Sequence, residues 1–581
     1  MTRTTLAAAA CVSLAACTGQ IGDPTAQPGS MGHGPSGPAG TGTGSSGPGG
    51  TGSTGTGVTP PASCGAAIAD IGDTPLRRLT NADYLNTVSD LLGDVSGLNL
   101  QFDVEVTTEN FPFLNNAGAQ ETPTAVAHQY FDAAEKIAHD AVTNRLSKIL
   151  ACDPAAAAGE QACATTFITS FASKAFRRPV DATQTQALMS MWQVGRDTGG
   201  DFKSGIEAVI TAVLQMPEFL YRFEMSPPGG AQKLVALDGW DMATRLSYLL
   251  WNSGPDDVLV AAAQAGKLAT PADISAQVTR MLGLPRARDM VLRFHDQWLQ
   301  LANVGSLEKD PMQFPKFSPA VATAMQQEIR AIVDDVVFQG DSKIGGLFTA
   351  PYTFLNDVLG KFYGVSGLGA TFTRVDPTKL GMRPAAGILT TGGIVAVRAD
   401  RNNTSPTKRG IFVREALLCE SLPPPPKDAV IVPPVTQPTQ TRRQAMTAHV
   451  TDPFCASCHK MMDLIGFGFE GFDASGAWRT TENGLPIDDS GTILASDVAG
   501  NFKGPVELGA KLAESDEAVT CAATQWFRFA FGREAQGNID GDQCALTTLH
   551  DALKTGGVMA ALRAIPQTAP FLYRKVPQGG L

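Results

Sequence analysis

Thr80-Asn-Ala-Asp-Tyr-Leu-Asn-Thr-Val-Ser-Asp-Leu-Leu-Gly93 reads as one complete helix. Thr80 carries the side-chain oxygen that an N-terminus needs, and Gly93 supplies the stop. Between them Tyr84, Leu85, Val88, Leu91 and Leu92 recur at spacings of three and four, which puts them on one face. The same period returns through 123–150, 165–176, 182–193 and 203–215, then through 238–251, 272–283, 287–301 and 318–338. Strand-type alternation is scarce. The pattern predicts a mainly α chain, several helical modules in tandem with short irregular β hairpins.

At 581 residues the chain is several times the ~100–200 residues of an ordinary domain. Composition shifts divide it. Residues 1–17 read as a leader, 18–63 as a tether, 64–150 as a first helical domain and 151–228 as a helix-pair module. A central helical domain follows over 229–375. Residues 376–500 form a segment interrupted by a proline-rich spacer over 422–438, and 501–581 form a second helix-pair module. The two modules are copies of one pattern. Phe171-Ala-Ser-Lys-Ala-Phe-Arg-Arg178 opens the first and Pro217-Glu-Phe-Leu-Tyr-Arg222 closes it. Phe527-Arg-Phe-Ala-Phe-Gly-Arg533 and Ala569-Pro-Phe-Leu-Tyr-Arg574 do the same in the second, and each copy has a Gly-Gly between its helical stretches.

The leader has Arg3 followed by a small-residue apolar stretch from Leu6 to Ala16, too short to span a bilayer. It ends in Leu14-Ala15-Ala16-Cys17, the pattern of a bacterial lipobox, so Cys17 is expected to carry lipid and anchor the protein to a membrane of the cell envelope, on its periplasmic side or at the cell surface. Residues 18–63 hold 15 of the 60 glycines, which gives a flexible spacer and no core. A net charge of -11 lacks the basic face that nucleic acid requires. No Gly-x-Ser-x-Gly elbow of a hydrolase is present.

One motif carries specific chemistry. Cys455-Ala456-Ser457-Cys458-His459 is a C-x-x-C-H, the spacing of c-type haem attachment. Two thiols three residues apart reach the two vinyl groups on one porphyrin edge, and the histidine that follows becomes the proximal iron ligand. Independent residues of this composition would give the motif by chance about 0.002 times. A thioredoxin-type disulfide and half of a zinc site are the competing readings. For the second axial position, His449 six residues upstream is the candidate, beside an open site. Met461 and Met462 follow His459 too closely, while Met382 and Met446 are further options. Downstream, Phe467, Phe469, Phe472 and Trp478 are candidates to wall the porphyrin, and Arg479 to pair a propionate.

Export also changes the reading of the cysteines. Setting aside Cys11, Cys17, Cys455 and Cys458, six remain, enough for three disulfides. The local pairs expected are Cys152–Cys163 and Cys521–Cys544, with Cys64–Cys419 left by elimination.

These residues resemble a family, the planctomycete-type cytochrome c-like multidomain proteins, also found in myxobacteria, which are built from successive domains of unknown function. Leu76-Arg-Arg-Leu-Thr-Asn-Ala-Asp-Tyr84 is similar to their first domain, and Phe176-Arg-Arg-Pro179 with the closing Phe-Leu-Tyr-Arg to their second. Leu246-Ser-Tyr-Leu-Leu-Trp-Asn-Ser-Gly-Pro-Asp-Asp257 is similar to the third. Thr404-Ser-Pro-Thr-Lys-Arg-Gly410, the prolines and the C-x-x-C-H with Gly466, Glu470 and Asp473 resemble the cytochrome-like fourth, and the C-terminal module the fifth. The family commonly reads Asp-Pro where this chain has Asp463-Leu464. The resemblance implies a haem-bearing envelope protein and supplies no reaction. The expectation is a lipid-anchored c-type cytochrome with one covalent haem c, exchanging electrons with an envelope redox partner protein. A haem oxidase or peroxidase with an open site, and a polymer-binding surface protein with structural haem, are the alternatives.

Overall fold

Thr80 accepts a hydrogen bond from the backbone N–H of Asp83, and the Asp83 carboxylate accepts one from the N–H of Thr80, so a reciprocal capping box starts the helix Asn81–Leu92. In the computed structural model this is the first helix of residues 64–576. The described residues exclude 65–67, 69, 109–110, 158, 227–232, 423–433 and 452 within that span. The leader, Cys17, the tether and most of the proline run therefore lie outside the described residues.

The periodic segments become helices, and their starts have a local cause. Asp181, Asp201, Asp238, Asp256, Thr270 and Ser318 each accept from a backbone N–H of the first turn that follows. The helices Thr124–Asn144, Gly159–Ala175, Ala182–Gly199 and Phe202–Val213 make the N-terminal part. Gly239–Trp251, Pro271–Leu282, Pro285–Trp298 and Pro319–Asp334 make the centre. The sheets described are all two-stranded and antiparallel. The fold is mainly α with short hairpins.

Burial collects into two cores. One joins Leu79, Tyr84 and Val88 to the helices between 124 and 220. The other runs from Phe111 and Phe113 through the central helices to the C-terminal module. Its middle is a stack of rings in which Phe294 lies 3.6 Å from Trp526, nearly parallel. The centre and the C-terminal module thus share one core.

The two helix-pair modules close alike. In the first, Leu79 N–H donates to the carbonyl of Leu220 and Tyr221 bridges Arg78; in the second, Leu237 N–H donates to that of Leu572 and Tyr573 pairs with Ala236. A helix N-cap, Thr80 or Asp238, follows directly on the partner strand each time. The end of each Phe-Leu-Tyr turn leaves carbonyls without helical partners, and a buried arginine takes them. Arg177 donates to the carbonyls of Glu218, Phe219 and Tyr221, and Arg245 to the corresponding ones of Pro570, Phe571 and Tyr573. Gly557, at φ 70, is the break between the two helical stretches of the second copy.

Among the described residues there are three disulfides. Cys152–Cys163 forms as the short loop suggests. Cys521 and Cys544 do not pair with each other, nor does Cys64 with Cys419. The pairs are Cys419–Cys521 and Cys64–Cys544. The reason is axial register. Cys521 lies ten residues before the end of Asp516–Phe531, and Cys544 four residues after the start of Asp540–Ala564. At about 1.5 Å per residue the two are offset by roughly 9 Å along the hairpin, beyond the reach of a disulfide. Cys521 instead faces the chain at Ala416–Cys419, and Cys544 the chain's start. Three disulfides fit an oxidising, exported environment. Among the described residues no helix is long and apolar enough to cross a membrane.

Candidate functional site

Cys455, Cys458 and His459 sit in the helix Pro453–Gly466, and spacings of three and four place them on one face of it. Neither cysteine takes part in the three disulfides. Both are partly accessible, as is His459. The preceding helix, Arg442–Thr451, brings His449 beside them, with the two imidazole centroids 4.4 Å apart and tilted by 55°.

His459 is oriented from below. Its Nδ1 lies 2.9 Å from Oδ2 of Asp463, one turn further along, and the other carboxylate oxygen accepts from the Thr407 hydroxyl at 2.7 Å. Asp463 is fully buried. This contact turns Nδ1 toward Asp463 and leaves Nε2 as the ring nitrogen not engaged by the carboxylate. The sequence comparison noted Asp463 only as the residue before Leu464, where the family commonly has proline, and gave it no role at His459. The His-x-x-x-Asp spacing on a helix was the available signal.

Thr407 belongs to the helix Pro406–Ile411, which crosses the motif helix at backbone contact. A Cβ on Gly410 would stand 1.9 Å from the carbonyl oxygen of Met462, and one on Gly466 would stand 1.8 Å from that of Pro406. Glycine at both points is what permits the approach. Next to it, Arg409 donates to the carbonyls of Phe469, Phe472 and Asp473, and Thr404 donates to Glu470. The stretch 404–410 is thus a clamp on the segment that follows the motif.

The remaining candidates divide. His449 Nδ1 is buried and, among the described residues, meets no hydrogen-bond donor or acceptor. Burial, then the adjacent His459, pushes its pKa below the ordinary histidine value, which keeps the ring in the neutral form that binds metals. Ligand atoms of His449, His459 and Asp463 all lie within 4.8 Å of one another. Donor atoms this close can share one metal ion. Arg479 donates to Glu482 and Glu470. Phe467, Phe469 and Phe472 are buried, and Trp478 packs edge-on against Phe472. Met446 and Met462 are buried and Met382 is exposed.

Five family models match in tandem, each described as a protein of unknown function: DUF1587 over residues 77–143, DUF1595 over 163–224, DUF1592 over 237–365, DUF1588 over 385–482 and DUF1585 over 500–571. The DUF1588 model, which holds the C-x-x-C-H, has the short name PSCyt3. The chain belongs to the planctomycete-type cytochrome c-like multidomain proteins. No curated protein and no solved structure matches it. In this cytochrome-like protein the clamp at 404–410, the motif helix and the arginine network beyond it all fall inside the one cytochrome-named domain.

Proposed function

We propose that this cytochrome-like protein is a lipid-anchored c-type cytochrome of the cell envelope that exchanges electrons with a partner protein. Cys455 and Cys458 would hold one haem through thioether links, and His459, with His449 beside it, would supply imidazole nitrogen to its iron. Cys17 carries the anchor, and residues 18–63 let the folded part stand off the membrane. When bound, haem supplies reversible one-electron chemistry.

The observation that carries the reading is the hold on His459. Asp463 holds the ring's rotation through Nδ1, and Thr407 holds Asp463. A histidine needed only for packing has no use for a fully buried carboxylate behind it. Burial of that carboxylate also strengthens the imidazole as a donor to metal.

The test is a pyridine haemochrome spectrum of protein made together with cytochrome maturation machinery. A c-type spectrum that survives denaturation is expected, and it disappears in Cys455→Ser with Cys458→Ser. Stoichiometric zinc with no covalent haem would replace this reading by a non-haem metal site at His449, His459 and Asp463.

A further inference from the structure

The closing turns of the two helix-pair modules meet on one face of the body. Arg78 bridges Tyr221, so in the same antiparallel register Leu76 stands opposite Phe223. Two residues earlier, the Thr74 hydroxyl donates to the carbonyl of Lys575 and accepts from its N–H. Arg574 donates to the carbonyl of Ser226, next to Met225. The segments 74–78, 221–226 and 573–575 therefore lie side by side.

This face is apolar where it meets solvent. Leu76 is 49% exposed, Phe223 38%, Met225 59% and Tyr573 37%. Among the described residues Phe223 and Tyr573 are the two most exposed aromatic rings, in a chain that buries most of its others. Large apolar side chains gathered in the open mark a surface that meets another apolar one. The ionic rim is balanced, with Lys575 between Asp70 and Asp73, so nothing here selects a partner by charge.

What covers the face follows from where the chain enters the body. Lys575 binds the Asp70 carboxylate at 3.1 Å and the Ile71 carbonyl at 3.2 Å, and Cys64 is bonded to Cys544. The six residues from Cys64 to Asp70 reach at most about 20 Å, so the chain leading back to Cys17 joins the body close to this face. A chain with the composition of residues 18–63 has an r.m.s. length of roughly 35–40 Å. On the lipid-anchor reading, on which this inference rests for its bilayer, the face meets one membrane at an effective concentration on the order of millimolar. A freely diffusing protein has no such advantage. The residue types agree: tyrosine belongs at the headgroup level, and phenylalanine and leucine at the acyl boundary.

We propose that the face formed by Leu76, Phe223, Met225 and Tyr573 seats the folded body on the phospholipid surface to which its own N-terminus is attached. The tether lets the body leave the membrane, and this face gives it one orientation when it returns. The Cys64–Cys544 disulfide fixes where the tether leaves the body.

The test is sedimentation with vesicles of phosphatidylethanolamine holding a minor share of phosphatidylglycerol. It uses the chain from Thr18 onward, which keeps the whole folded body without leader or lipid. A measurable share should sediment at about 1 mM lipid. Phe223→Glu with Met225→Glu should weaken that partition about tenfold or more, as should Leu76→Glu with Tyr573→Glu. Either pair decides alone if the other fails to fold. Met312→Glu, at an exposed methionine outside this face, should change nothing. Absence of vesicle binding overturns the proposal, as does an equal loss in Met312→Glu or undiminished binding by either folded pair. A dimer in analytical ultracentrifugation that the same pairs abolish would give the face to a second copy and overturn it too. Lipid on Cys17 is read separately, from the mass of the native N-terminal peptide, so failure of the anchor is distinguishable from failure of the face.

Discussion

Asp463 and His459 stand one helical turn apart with Oδ2 to Nδ1 at 2.9 Å, and the same carboxylate reaches back through Oδ1 to Thr407. This one fully buried side chain connects two separated stretches of sequence, 404–410 and the C-x-x-C-H. The first has no chemistry of its own. Its role is to press a helix onto the motif helix closely enough for a short hydroxyl to meet the carboxylate, and the two glycines at the crossing make that possible.

Replacing Asp463 separates charge from hydrogen bonding. Asp463→Asn keeps an acceptor for His459 and removes the negative charge, so a haem held by His459 should show a higher midpoint potential in redox titration. Asp463→Ala leaves the Thr407 hydroxyl without its acceptor and should lower stability by about 1–3 kcal/mol in denaturant unfolding. An unchanged potential in Asp463→Asn would mean that the contact only positions the ring.

Gly410→Ala and Gly466→Ala should each destabilise strongly, by roughly 3 kcal/mol or more, because the new Cβ meets backbone that cannot rotate away. Both substitutions push the same two helices apart. The double variant should therefore lose clearly less than the sum of the singles in chemical denaturation.

Peptide mapping under non-reducing conditions should recover Cys64 with Cys544, Cys152 with Cys163 and Cys419 with Cys521. Among these, the Cys64–Cys544 link closes the longest loop, with a sequence separation of 480. The pair Cys64→Ser and Cys544→Ser should cost about 2–5 kcal/mol, measured by unfolding without reductant. A Cys521–Cys544 peptide would contradict the register of the terminal helices.

Helix positions were legible because each is written locally. The capping oxygen of Thr80 and the face of Tyr84, Val88 and Leu92 lie within fourteen residues of each other. The pairing of Cys521 was not, since it depends on how far along each helix the sulfur sits and on where residue 419 returns. The hold on His459 was half legible: Asp463 is at helical spacing, but Thr407 is 56 positions away. Arg177 and Arg245 were hidden, since what they bind is backbone.

His295 gives the chain a dependence on acid. It is 1% exposed in the second core, its Nδ1–H donates to the carbonyl of Val291, and burial pushes its pKa down to about 4 from the ordinary 6.5. Above pH 6.5 the ring is neutral in both folded and unfolded chains. As pH falls from 6.5 to 4 the unfolded chain takes the proton and the folded chain does not, so stability falls by about 3 kcal/mol over that window. His295→Gln should remove about one proton's worth of this slope when unfolding free energy is measured against pH. An unaltered slope would show that the ring is protonated in the folded core.

The last expectation concerns the second axial ligand. His449 has a buried Nδ1 that meets no partner among the described residues, a pKa pushed down by burial and a place against His459, whereas Met462 is buried and Met461 shares its stretch of the motif helix. With haem attached, His449→Ala should leave the covalent link intact, convert the iron to high spin and admit carbon monoxide or cyanide. Met461→Leu and Met462→Leu should leave the spectrum nearly unchanged. Two histidines also place the potential below that of a histidine–methionine pair, so the native protein should titrate low and His449→Ala should change that value. A methionine-to-iron band near ~695 nm in the oxidised protein, abolished by either methionine substitution, would assign the position to sulfur and leave His449 as a neighbour of the site.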